Sequence, residues 1–211
     1  MRREKLQHLA VGAVIAIVVF VPLGAYTYVK SGIFPVAASK PHTRLTEWLT
    51  HETMIQSVKR HARSVTPPHS FAPGQVIAGF CAYQTHCVAC HGAAAVGRQQ
   101  WANGLEPQPP YLLDESQRFN RRELFWIVQN GIKMTGMPSW RQSMSDRQIW
   151  DVVAWLEASP KLPPQTYAVW RARGACAPLS PPLQGRGQGA QQTSRLRRRS
   201  ADGMSAQGGG E

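Results

Sequence analysis

Two cysteines and a histidine stand within five residues of one another, as Cys87, Cys90 and His91 in the segment CVACH. On a helical turn, positions i, i+3 and i+4 share one face, so the two thiols and the imidazole can reach the same group. The thiols can bond to the vinyl groups on one edge of a porphyrin while the imidazole binds the iron. This C-x-x-C-H spacing predicts one covalently attached haem c, with Cys87 and Cys90 as anchors and His91 as an axial iron ligand.

Two other chemistries use similar residues. Two thiolates and an imidazole also suit zinc, and Cys81 or His86 could complete a tetrahedral set. Zinc sites usually pair a C-x-x-C with a second, distant Cys/His pair, however, and the only distant cysteine is Cys176, in a polar tail. A thioredoxin-like redox pair would follow a strand, whereas an apolar helical pattern precedes this motif. Haem attachment is therefore the favoured interpretation.

The second axial ligand decides what such a haem does. A filled His/Met haem suits electron transfer, whereas an open iron site binds gases or peroxide. The candidates after the motif are Met134, Met137 and Met144. Met137 lies between Gly136, which frees the backbone, and Pro138, which favours an extended conformation before it. We expect Met137 to bind the iron, with Met134 of the same loop as the alternative.

The surrounding pattern predicts helices that position these residues. A capping pair begins each of two helices, Asn120 with Glu123 and Ser145 with Gln148. Apolar residues follow each pair at helical spacing, and no strand pattern of useful length appears. The sequence predicts an all-α fold with four helices outside any membrane: residues 43–62 as a stalk, about 74–85 leading into the haem motif, 120–130, and a fourth that begins at Ser145 and ends before Pro160.

The uncharged stretch from Leu9 to Val29 is long enough to cross a bilayer of about 30 Å. Arg2, Arg3 and Lys5 precede it, so the positive-inside rule leaves the short N-terminus in the cytoplasm and exports the rest. A cleaved signal peptide is the competing interpretation, because residues 36–38 resemble a cleavage site. The apolar stretch is long for a signal peptide, which favours a retained single-pass anchor.

The formal net charge of +12 could suggest a nucleic-acid partner. Within residues 71–170, however, eight basic residues face seven acidic ones, so the excess charge lies in the flanks. A nucleic-acid-binding domain concentrates its basic residues on one folded face. No nucleic-acid partner is therefore expected.

Over roughly residues 71–167 the chain resembles the class I c-type cytochromes. The resemblance rests on Gly79-x-x-x-Tyr83, Cys87-x-x-Cys90-His91-Gly92, the segment NGIKMTGMPSW at 130–140, and VVAWL at 152–156. It implies that Met137 is the distal ligand and that Pro110 offers its carbonyl to the His91 imidazole. It further implies that the first and last helices cross at Gly79, beside Trp155. Residues 32–42 are similar to the segment that follows the anchor in membrane-anchored bacterial monohaem cytochromes.

The sequence thus divides into a cytoplasmic stub and transmembrane anchor (1–30), an exported stalk helix and linker (31–70), a cytochrome c haem domain (71–170) and a disordered Arg/Gly/Gln-rich tail (171–211), in which Cys176 is expected to be a bystander. The expected function is electron transfer between a donor and an acceptor protein, with the haem domain on the periplasmic side of a bacterial inner membrane. No enzyme activity and no small-molecule substrate are expected. The alternatives are a haem enzyme or gas sensor with an open distal site, and a haem-bearing structural subunit of a larger complex.

Overall fold

The computed structural model describes residues 2–176 of the 211-residue chain. These residues form an all-α fold, as predicted, in which short 3₁₀ turns and loops join the helices. The helices are α1 (Arg2–Ser31), α2 (Arg44–His61), α3 (Pro73–His86), α4 (Val88–His91), α5 (Leu112–Glu115), α6 (Arg121–Asn130), α7 (Asp146–Ala158) and α8 (Thr166–Ala172).

Helix α1 contains the apolar N-terminal stretch. It is long and apolar enough to cross a membrane, by length and composition alone. Its large apolar side chains, such as Phe20 and Val29, are exposed. The length of the helix agrees with the sequence-based expectation of a membrane span.

Helix α2 corresponds to the predicted stalk. The Thr43 hydroxyl caps it by accepting a hydrogen bond from the Thr46 N–H at 3.2 Å. Near its carboxyl end Val58 is fully buried, and this end of the helix packs against α6. At its amino end Trp48 and Leu49 remain exposed, so apolar side chains of α2 are buried only toward its carboxyl end.

The crossing of α3 and α7 forms the centre of the domain. A methyl group on Gly79 would lie 1.8 Å from the Asp151 carbonyl oxygen and 3.0 Å from Trp155 Cβ. Glycine is required there because the two helix backbones approach so closely. The crossing at Gly79 beside Trp155, implied by the resemblance, is therefore present.

The capping pairs begin α6 and α7 as predicted. Asn120 Oδ1 accepts from the Glu123 N–H at 3.2 Å, and Glu123 Oε2 accepts from the Asn120 N–H at 2.9 Å. Ser145 and Gln148 make the same reciprocal pair at α7. Apolar side chains of both helices then enter the core, which fixes how α6 and α7 pack together.

Helix α8 was not predicted, and it adds an aromatic layer to the α3–α7 crossing. The ring of Phe80 lies 5.2 Å from that of Trp155, 5.2 Å from Tyr167 and 5.4 Å from Trp170, in edge-on contacts that favour aromatic packing. Residues 171–176, assigned by composition to a disordered tail, complete α8 and a turn after it. The rest of the tail prediction concerns residues 177–211, which lie outside the described residues.

The cysteines divide into two pairs by oxidation state. Cys87 and Cys90 form no disulfide, whereas Cys81 and Cys176 are each disulfide-bonded. The expectation that Cys176 is a bystander is therefore wrong. Sequence alone gave no means of choosing, because a disulfide requires proximity that the spacing of two cysteines does not report.

Candidate haem site

The C-x-x-C-H motif occupies the short turn that follows α3. The N–H groups of Cys90 and His91 both donate to the Cys87 carbonyl, at 3.1 and 2.9 Å. This single turn of helix places Cys87, Cys90 and His91 on one face, as predicted. Burial raises the pKa of the Cys87 thiol to about 12, so this thiol keeps its proton until it reacts.

The His91 imidazole is oriented by a backbone carbonyl. Its Nδ1 lies 2.8 Å from the Pro110 carbonyl oxygen, an acceptor, so Nδ1 carries the proton. Burial, the larger influence, lowers the pKa of His91 even though the hydrogen bond to Pro110 acts in the opposite direction. A neutral imidazole protonated at Nδ1 leaves the Nε2 lone pair available, which is the form that binds a metal.

The loop after the motif depends on Gly92. Its φ of +63° favours glycine, and a methyl group there would lie 2.8 Å from the Tyr111 ring and 2.8 Å from the Val96 carbonyl oxygen. The buried Tyr83 hydroxyl of α3 donates to the Gly92 carbonyl at 2.6 Å. These contacts fix the backbone on the side of His91 away from the two cysteines.

The segment from Gly131 to Pro138 forms a closed loop between α6 and α7. The Ile132 N–H donates to the Met137 carbonyl at 3.2 Å, and the Met137 N–H donates to Thr135 Oγ1 at 3.1 Å. Gly131 has a φ of +66°, and a methyl group there would lie 2.5 Å from the Pro138 carbonyl carbon. The loop therefore holds the Met137 backbone at both its N–H and its carbonyl.

The three candidate methionines have different environments. Met144 is 6% exposed and belongs to the hydrophobic core. Met134 is 87% exposed, at a φ of +61°. Met137 is half-buried against the core. A haem ligand must be neither solvated nor enclosed by other side chains, and this criterion favours Met137 among the three.

Two contributors to this region were missed at the sequence level. Arg98 places its guanidinium 4.1 Å from the centre of the Tyr111 ring and donates a hydrogen bond to the Pro109 carbonyl. Leu105 packs against the methionine loop, where a methyl group on Gly136 would lie 2.9 Å from its Cδ1. An isolated arginine or leucine in a loop carries no spacing signal, so no pattern could have identified them.

The donor set fits haem c. The site offers two free thiols one turn apart and an imidazole whose Nδ1 is engaged, leaving Nε2 for iron. Of the two residues that could complete the zinc set considered above, Cys81 is disulfide-bonded and so is not available as a ligand. Within residues 2–176, moreover, no three His, Cys, Asp or Glu side chains lie together as a metal site.

Comparison with protein families agrees with this geometry. Residues 74–156 match the model of the family described as cytochrome c oxidase, cbb3-type, subunit III. No curated protein matches the chain. The matched range begins at α3 and ends within α7, so it contains the crossing, the C-x-x-C-H turn and the methionine loop. Residues 74–156 are thus a class I c-type cytochrome domain, which carries covalently bound haem c and serves in electron transfer.

Proposed function

We propose that this protein is a membrane-anchored monohaem cytochrome that passes single electrons between two redox proteins on the periplasmic side of a bacterial inner membrane. The observation that carries the proposal is the closed loop of residues 131–138, which holds Met137 by its N–H and its carbonyl. With Met137 and His91 as axial ligands, the iron would have no open position for a substrate.

Each residue of the site would have one task. Cys87 and Cys90 would hold the porphyrin by thioether bonds, and His91 would bind the iron through Nε2. The Pro110 carbonyl accepts from His91 Nδ1 and so prevents rotation of the ring. The haem, when bound, supplies a one-electron couple of its iron. These residues would contribute by keeping the same positions in both oxidation states, because electron transfer is fast when the iron ligands need not rearrange.

A test of the distal ligand compares two methionines of the same loop. Met137→Ala should abolish the red charge-transfer band of ferric haem ligated by sulfur, and its reduced form should bind carbon monoxide. Met134→Ala is the matched control and should keep the band, because the Met134 side chain is 87% exposed. If the band survived in Met137→Ala, the distal assignment would be wrong. Ready binding of carbon monoxide by the reduced wild type would favour an open-site enzyme or sensor.

The anchor is supported by α1, which is long and apolar enough to cross a membrane, and by Arg3 and Lys5 before its apolar stretch. The experiment is haem staining of a denaturing gel after alkaline extraction of membranes. We expect a stained band of full length in the extracted membranes. A stained band in the soluble fraction, shortened at its N-terminus, would instead show cleavage.

A second function is favoured by the family match, because the matching family is named for a subunit of an oxidase. The protein would then be the electron-transferring subunit of a larger membrane complex. Purification in mild detergent distinguishes the two possibilities. A haem protein that elutes alone supports a mobile carrier, and a stoichiometric large partner supports a subunit.

A further inference from the structure

We propose that Arg98 is a positioning residue for the proximal haem ligand: it clamps the segment whose Pro110 carbonyl orients the His91 imidazole. This inference rests on the proposed function, in which His91 binds the haem iron. It adds a residue outside the C-x-x-C-H motif that controls how firmly that ligand is held.

Arg98 contacts the chain on both sides of Pro110. Its Nη1 donates a hydrogen bond to the carbonyl of Pro109, and its guanidinium carbon lies 4.1 Å from the centre of the Tyr111 ring. The carbonyl of Pro110, between these two residues, accepts from His91 Nδ1 at 2.8 Å. One guanidinium thus fixes the residue before and the residue after the acceptor.

The segment around Pro110 has few backbone hydrogen bonds of its own to fix it. It lies in the irregular stretch between the 3₁₀ turn at Gln100–Gly104 and α5. Pro109 and Pro110 have no N–H to donate, so the backbone cannot fix this stretch with its own hydrogen bonds there. The hydrogen bonds of this stretch come instead from two side chains, Arg98 donating to the Pro109 carbonyl and His91 to the Pro110 carbonyl.

The clamp also closes onto the haem motif. The Tyr111 ring, on which the guanidinium lies, fills the space where a methyl group of Gly92 would be, at 2.8 Å. Gly92 directly follows His91. Arg98, Tyr111 and Gly92 therefore form a continuous stack that ends beside the ligand itself.

Arginine is suited to this task and lysine is not. The guanidinium is flat, so it can stack on an aromatic ring and donate in its own plane at the same time, whereas an ammonium group cannot do both. The positive charge of Arg98 also lies close enough to act on the imidazole, because it is one of the influences, after burial, that lower the pKa of His91. Charge and clamping are separable by substitution.

The experiment measures solvent exchange of the His91 Nδ1 proton. The full-length haem protein, labelled with ¹⁵N-histidine and held in detergent micelles in its ferrous state, is studied by NMR. Both Arg98→Lys and Arg98→Gln lose the hydrogen bond to the Pro109 carbonyl and so loosen the neighbouring Pro110 carbonyl. We therefore expect the His91 Nδ1 proton to exchange about tenfold faster in both variants, the factor that corresponds to one hydrogen bond of about 1.4 kcal/mol. The reduction potential of Arg98→Lys should rise, because a loosened Nδ1 hydrogen bond makes the ligand less basic and stabilises ferric iron less.

The control is Arg118→Lys, since Arg118 is an exposed arginine that pairs with Glu115 at 3.4 Å. In this variant the His91 Nδ1 proton should exchange at the wild-type rate. Arg98→Lys keeps the positive charge, so a wild-type exchange rate in this variant would overturn the clamp, and faster exchange in Arg98→Gln alone would then be an effect of charge. Unchanged exchange in both Arg98 variants would overturn the proposal entirely.

Tyr111 provides a second route if the Arg98 variants fail to mature. Tyr111→Leu removes the ring beneath the guanidinium, whereas Tyr111→Phe keeps it. We expect faster exchange in the first and wild-type exchange in the second, and equal rates in the two would contradict the clamp. If the wild type itself showed no iron-bound His91, the proposed function would fail first, so the two failures are distinguishable.

Discussion

The close approach of α3 and α7 at Gly79 makes Gly79→Ala a quantitative test of the fold. The added Cβ would lie 1.8 Å from the Asp151 carbonyl oxygen, and contacts this close do not occur, so the helices must separate by more than 1 Å. Overpacking of this kind costs about 1–3 kcal/mol. We take the upper end, about 3 kcal/mol, because the obstacle is backbone. Alanine returns about 1 kcal/mol of helix propensity, which leaves a net loss of about 2 kcal/mol.

Gly74→Ala in the same helix is the matched control, because nothing lies within 4 Å of a methyl group there. For a domain of this size, 1 kcal/mol corresponds to about 4–8 °C in Tm. Thermal unfolding of the haem protein, followed by circular dichroism, should therefore give a Tm about 8–16 °C below wild type for Gly79→Ala. Gly74→Ala should be equal to wild type or slightly above it. Equal Tm values for the two variants would refute the inferred helix approach.

Two further perturbations address buried polar groups. Asp151 is 8% exposed, and burial raises its pKa, so the folded state holds the proton more firmly than the unfolded state and stability falls as pH rises. Asp151→Asn should therefore have a higher urea midpoint than wild type at pH 7. The two midpoints should become equal below the ordinary carboxyl pKa of 3.8. A difference in midpoint that did not change with pH would exclude titration of Asp151 as its cause. Tyr83→Phe removes the donor to the Gly92 carbonyl and should cost about 1–3 kcal/mol in urea unfolding. No loss would mean that water replaces the hydroxyl.

Features fixed by local chemistry were predictable from sequence. The pair Asn120 and Glu123 predicts the start of α6, because the two side chains satisfy N–H groups at the start of the helix. This local effect does not depend on the rest of the fold. The C-x-x-C-H turn is equally local. The helix crossing at Gly79 beside Trp155 was not predictable from local chemistry. It was expected only because the chain resembles a family in which the two helices cross.

Features that depend on distant contacts were not predictable. Helix α8 is seven residues long, too short to show a periodic pattern, and it is held by Tyr167 and Trp170 against Phe80. Met144 and Met137 have the same side chain, and only the packing shows that the first is enclosed by the core. Arg98 acts through its neighbours in space, which the order of residues does not reveal.

The two oxidation states of cysteine have a consequence for biogenesis. Cys81 is disulfide-bonded, whereas Cys87 and Cys90, the first only six residues further along the chain, are not. An environment that forms the first bond also tends to join the other two sulfurs to each other, and that product could no longer capture a porphyrin. For haem to be attached here, Cys87 and Cys90 must therefore both be thiols when the porphyrin arrives, although Cys81 nearby is oxidised.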